Sequence, residues 1–176
     1  MRTPSVIKFE VDVDEFPDTQ TALLSDLVDD PDFETHHWAR EVLVKMGPKV
    51  LPMLNKVLGS NNKILRREAI KVIELIGHRS SIPILIASLE DPESDVRWIA
   101  AEGLIHIGRK SIRPLLNALV GPDTSYFLRL GAHHVLSELV TSEDQKELQQ
   151  LVHHLKQGFR PSESIPLEAD EILKGE

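Results

Sequence analysis

The 176-residue sequence contains no cysteine. That excludes a disulfide scaffold, a thiolate zinc site, a cysteine-ligated iron–sulfur cluster and a cysteine nucleophile. Aromatic residues amount to only 5%, a low figure for a sheet sandwich or a barrel and a usual one for helices that pack through small side chains. No apolar run approaches the ~18 residues that a membrane-spanning helix needs. The stretch Met1–Asp18 has no apolar leader ahead of its acidic residues, so the expectation is a cytoplasmic protein without membrane contact. What is present in quantity is aliphatic. Hydrophobic residues make up 41%, enough for one packed core, which excludes wholesale disorder.

The formal net charge is −8, and it is unevenly spread. Residues 1–34 carry −8 and residues 159–176 carry −3, which leaves +3 on the body between them, together with all eight histidines. The body becomes more basic below the histidine pKa of about 6.5. Acidic ends that aid solubility are the preferred reading. The alternative is a terminal segment that folds over the body or binds a partner.

Self-similarity at a near-constant offset organises the chain. The stretches AREVLVKMG (39–47), AIKVIELIG (69–77) and AAEGLIHIG (100–108) align directly, and AHHVLSELV (132–140) joins them with Val140 in the glycine position. The leading alanines, Ala39, Ala69, Ala100 and Ala132, are 30, 31 and 32 residues apart. Nine positions earlier stand Asp30, Ser60, Asp91 and Asp123, which the spacing assigns as N-caps. Three positions earlier stand His36, Arg66, Arg97 and Arg129. Pro52, Pro83 and Pro114 recur every 31 residues, each followed two residues later by Leu54, Leu85 or Leu116.

Each unit therefore reads as two helices. The first has apolar positions at helical spacing, such as Val96, Ala100, Leu104 and Ile107, and ends at Gly47, Gly77 or Gly108, where a left-handed C-cap is wanted. The second carries its proline early, where a missing donor costs least. Leu24 and Val28 extend the phase backward and suggest a closing half-unit at 19–29. Alternation over Val6–Val13 suggests an extended segment. Domain organisation is thus an extended acidic segment at 1–18, a repeat body at 19–157 and an acidic tail at 158–176. The tail, with Pro161 and Pro166, is expected to be irregular apart from a brief helix at 168–174.

The stretch DPESDVRWIAAEGLIHIGRKSIRPLLNAL resembles the HEAT-like repeat, in the short form named after the phycobilisome lyases. Asp91–Pro92, Val96–Arg97, Ala100–Ala101, Leu104, Gly108, Ile112 and Pro114 carry the resemblance, and Leu65–Arg66, Ala69, Gly77 and Ile82–Pro83 repeat it. It covers about residues 19–157. It implies an all-α, right-handed α-solenoid of about four helix pairs with an N-terminal half-repeat cap. The function it implies is a non-enzymatic protein–protein interaction module or scaffold, binding a partner along the concave face. The alternative is a phycobilin lyase-like or phycobilisome-degradation-like factor acting on a bilin or phycobiliprotein. A nucleic-acid reading draws on the basic body, but the modest excess of cations argues against it.

In such stacks the second helices line the concave side. Spacing against the core leucines makes Lys49, Asn55, Lys56, Ala87, Ser88, Lys110, Arg113, Asn117 and Ala118 face solvent. This basic-to-neutral stripe suits an acidic peptide or helix. Trp38 and Trp98 are candidate anchors, with partly buried packing as the preferred role.

Arg66, Arg97 and Arg129 read as a structural ladder bonded to carbonyls or to Asp91 and Asp123 of a neighbouring turn. The pairs His36–His37, His133–His134 and His153–His154 read as exposed. The first and fourth units are on the order of 30 Å apart, so His36 and His133 cannot share a metal. Di-iron hydroxylases built on such repeats place a histidine–glutamate pair after the repeat arginine. The matching slots here hold His37–Trp38, Arg67–Glu68, Trp98–Ile99 and Leu130–Gly131. No catalytic residues, cofactor or metal are expected.

Overall fold

Apolar residues at three- and four-residue intervals set the positions of most of the helices, and glycine or a polar cap sets many of their ends. The computed structural model describes residues 33–121, 124–142, 144, 146–157 and 164–175. The expectations for Val6–Val13, for a half-unit at 19–29 and for caps at Asp30 and Asp123 lie outside these residues. The helices are α1 (Phe33–Met46), α2 (Leu51–Val57), α3 (Lys63–Ile76), α4 (Ile82–Ser88), α5 (Ser94–Ile107), α6 (Ile112–Leu119), α7 (Tyr126–Leu139), α8 (Lys146–Gln157) and α9 (Ser164–Gly175). No strand occurs among the described residues.

The architecture is an all-α solenoid. The first helices of the units, α1, α3, α5 and α7, form one row, each packed on the next, and the second helices α2, α4 and α6 each pack on the first helix that follows. Ala39, Ala69, Ala100 and Ala132 are fully buried, as are Leu54, Leu85 and Leu116. The small side chain is what allows neighbouring helices to approach. Gly77 has φ +57 and donates its amide to the Ile73 and Glu74 carbonyls, closing α3 in the left-handed conformation that a side chain disfavours. Gly47 and Gly108 also have positive φ, and from all three the chain turns at once into a second helix. In the fourth unit Val140 takes that slot with φ −89 and ψ 127. The chain leaves α7 extended, and α8 starts only at Lys146.

The caps fall two residues later than the spacing suggested. Asn62 Oδ1 accepts from the Ile64 and Leu65 amides at 3.0 and 3.3 Å, and Ser125 Oγ accepts from the Leu128 amide at 3.0 Å. Asp91 has other partners. Its carboxylate takes a two-pronged bond from Arg66, with Nε to Oδ2 at 2.8 Å and Nη2 to Oδ1 at 3.0 Å, and also accepts the Glu93 amide at 2.8 Å. Arg66 Nη1 donates to the Ser60 carbonyl at 2.8 Å. Arg97 Nη1 reaches the Asp91 and Pro92 carbonyls at 2.7 and 2.9 Å, and Arg129 reaches the Thr124 carbonyl. The arginines therefore bind the turn at the base of their own helix. Arg66 also ties one unit to the next.

The C-terminal segment differs most from expectation. The helix expected at 168–174 is longer, the 12-residue α9, which begins at Ser164 and buries Ile165, Ala169 and Ile172 at intervals of four and three. Pro166 sits in the first turn, where it breaks no helical hydrogen bond. The helix packs on α6 and α8, so this acidic end does fold over the body.

The turn after α5 is tied to the loop after α7. Arg109 donates to the Leu139 carbonyl at 3.0 Å and grips the Asp144 carboxylate with both terminal nitrogens. Asp144 also accepts from the Thr141 amide at 2.6 Å. The Arg109 guanidinium, and then the Thr141 amide, hold the Asp144 carboxyl well below the usual carboxylate range. Folding favours the ionised form. Its contribution is therefore fully present above the unfolded pKa of about 3.9 and is lost as pH falls toward the lower folded value. Asp144→Asn is expected to be less stable than the parent at pH 6, with the gap closing steadily below about pH 4. Parallel stability–pH curves from urea titrations would contradict this.

Candidate functional site

The second helices of the first three units, α2, α4 and α6, and the turns that lead into them carry charge of one sign, whereas α8 in the fourth unit carries Glu147. Residues 47–57, 79–88 and 108–119 contain Lys49, Lys56, Arg79, Arg109, Lys110 and Arg113, and no aspartate or glutamate. Lys49, Asn55, Lys56, Ala87, Lys110, Arg113 and Asn117 are exposed. Asn117 donates to the Arg113 carbonyl at 3.0 Å, one turn back on α6. Arg109 is engaged by Asp144 as described above.

Two residues of the stripe are placed differently from expectation. Ser88 is only 8% exposed, and its hydroxyl donates to the Ile84 carbonyl at 2.9 Å. It lies three residues after the fully buried Leu85 on the same helix, which puts it on the covered side. Ala118 is half-buried.

The helix α9 lies against this row. It presents Glu168, Asp170 and Glu171 against one cation, Lys174. His154 on α8 hydrogen-bonds Glu168 at 2.9 Å between Nδ1 and Oε2. At the residue before each core leucine, Met53 and Ile84 are half-buried, whereas Leu115 on α6 is fully buried. The extensive contacts of α9 are with α6 and α8.

A second feature lies on the other row. Between α5 and α7 runs a groove of about 390 Å³, lined by Arg97, Trp98, Phe127, Leu130, His133 and His134, with Ala101 and Gly131 also lining it. Trp98 is 59% exposed and Leu130 50%. Trp98 stacks on His134 with centroids 4.7 Å apart, and the Arg97 guanidinium lies 4.0 Å from the Phe127 ring centre. His134 Nε2 bonds Glu102 at 2.9 Å. Burial, then Lys156 and His134 nearby, push the His133 pKa down.

Trp38 is 44% exposed, so both tryptophans are more exposed than the partly buried packing role expected of them, although Trp98 packs on His134. Phe127 and Leu130 escaped notice in the sequence. The available signal was the slot of Leu130, which holds His37 and Arg67 in the first two units and so faces outward. Elsewhere His37 pairs with Glu41 at 3.3 Å. Among the described residues no three histidine, aspartate or glutamate side chains converge as metal ligands, and no helix is long and apolar enough to cross a membrane.

The model of one family, HEAT repeats, matches residues 20–105 and 82–161. Comparison with curated proteins found no match.

Proposed function

The chain belongs to the HEAT repeat family, and from that premise we propose that it is a non-enzymatic interaction module whose second-helix row binds an acidic peptide or helix of a partner protein. HEAT repeats generally mediate protein–protein interaction. The observation that carries the finer reading is the charge of the row in its first three units, six cations and no carboxylate over 47–57, 79–88 and 108–119, with Arg109 among them held by Asp144. A surface of one sign steers an oppositely charged partner and rejects like-charged ones. Lys49, Asn55, Lys56, Ala87, Lys110, Arg113 and Asn117 are the contact residues of this reading. The lyase-like alternative rests on the repeat resemblance alone.

The test is affinity capture from the source cells by the parent chain and by a Lys56→Glu/Arg113→Glu variant of equal helicity. The captured partner should bind the variant at least tenfold more weakly, because each reversal replaces an attraction of about 0.2–1 kcal/mol with a repulsion. Equal affinity for both chains would remove the row from consideration. A nucleic-acid ligand would instead show log affinity falling steeply with log salt concentration.

A further inference from the structure

We propose that α9 is a built-in occupant of a helix-binding seat on α6 and α8, and that an acidic amphipathic helix of a partner protein takes this seat in its place. The inference rests on the reading of the second-helix row given above, and it names the seat and the kind of helix that fits.

Three observations carry it. The first is where α9 lies. A helix that merely closed the end of the stack would cover the last pair, α7 and α8. The main contacts of α9 are instead with α6 and α8, the second helices of two successive units. The second is what it covers. Leu115 is fully buried, whereas Met53 and Ile84 in the equivalent slots are half-buried. Lifting α9, which packs on α6, would therefore leave this side of α6 as partly exposed as Met53 and Ile84 leave α2 and α4.

The third is chemistry. The buried apolar residues of α9 are Ile165, Ala169 and Ile172, one face of a helix, with Leu173 partly buried beside them and Leu167 exposed. Its remaining surface carries Glu168, Asp170 and Glu171, and of the two helices it packs on, α6 with its leading turn carries Lys110 and Arg113 and no carboxylate, while α8 carries Glu147. The His154–Glu168 bond at the rim is half-exposed on the histidine side, which makes it a weak tie. The chain thus displays, in place, the ligand pattern that the seat accepts: a large aliphatic residue, a small one four positions on and a large one three further, with carboxylates outside.

A tethered occupant competes at high effective concentration. A partner helix therefore binds the intact chain with an affinity reduced by the fraction of time the seat is free. This gives the test. The probe is a fluorescein-labelled synthetic peptide with the sequence of residues 162–176, followed by anisotropy. The titrated proteins are the full-length parent and a full-length Ile165→Asp/Ile172→Asp chain, in which α9 cannot seat. The peptide should bind the variant at least tenfold more tightly than the parent. Adding Arg113→Glu to the variant should weaken binding several-fold.

A second measurement uses the unmodified chain. With peptide in excess, amide exchange in α9 should rise while that in α6 stays protected. This experiment decides the matter if the double variant does not fold. Equal affinity for parent and variant, or exchange in α9 unchanged by saturating peptide, would overturn the proposal. So would a parent chain that forms dimers by exchanging α9, since the occupant would then be a second copy. None of these results depends on the capture experiment above, so the two readings fail separately.

Discussion

Replacing Asp91 by alanine should cost about 3–5 kcal/mol of stability, the range seen when one partner of a buried ion pair is removed. The side chains of Arg66 and Asp91 are each 9% exposed. Both side chains are thus largely shielded from water, and Arg66 would keep the Ser60 carbonyl as its acceptor. The same substitution removes the acceptor of the Glu93 amide at the start of α5. Arg66 and Asp91 belong to successive units, so the loss falls on the join between them. Urea unfolding followed by far-UV circular dichroism measures it. A loss below about 1 kcal/mol, the scale of an exposed pair, would show that the fork is solvated. An Arg66→Met/Asp91→Leu chain should recover more than half of the loss, because it leaves no buried charge unpaired. That control separates the cost of an orphaned guanidinium from the net worth of the pair.

The slots that made the repeat visible in the sequence are packing slots. Ala39, Ala69, Ala100 and Ala132 have no room to vary, and Gly77 is fixed by a backbone angle. A one-dimensional stack repeats the same neighbour contacts, so the pattern of core residues was enough to find the units. What escaped the sequence was decided by side chains with two possible uses. Aspartate caps helices and also accepts an arginine fork. Asp91 does the second for Arg66 and meets the Glu93 amide just ahead of α5. Serine is polar, yet Ser88 satisfies its hydroxyl within its own helix and stays covered. Pro166 and the surrounding acids read as a helix breaker in a solvated tail, but a proline in the first turn breaks nothing.

The groove beside Trp98 had a different reason to be missed. Trp98 stands on α5, while Phe127 and Leu130 stand on α7. Trp98 is the one large exposed apolar residue of α5, whereas Tyr126, Phe127 and Leu130 are exposed on α7, and only the packing of successive units brings the two helices together. The charge of the second-helix row was legible in principle. Counting acids by helix, and not by segment, exposes it.

A substitution pair where Leu89, the residue after α4, meets Gly131 of α7 tests the close approach that small residues permit. A Cβ added at Gly131 would lie 2.8, 3.1 and 3.2 Å from Cδ2, Cδ1 and Cγ of Leu89, a fully buried side chain. Three atoms of one leucine crowd the position, so rotating a single methyl group gives no relief. Gly131→Val should therefore destabilise by about 1–3 kcal/mol, the usual cost of overpacking. Leu89→Ala alone should cost about 2–5 kcal/mol through lost burial and the cavity left behind. The double variant moves three carbons from one side of the contact to the other and keeps the volume nearly constant. Its loss should fall short of the sum of the single losses by at least about 1 kcal/mol, as for residues in direct contact. Additive losses in urea titrations would mean that α7 does not rest on Leu89, and the placement of α7 against the turn after α4 would have to be redrawn.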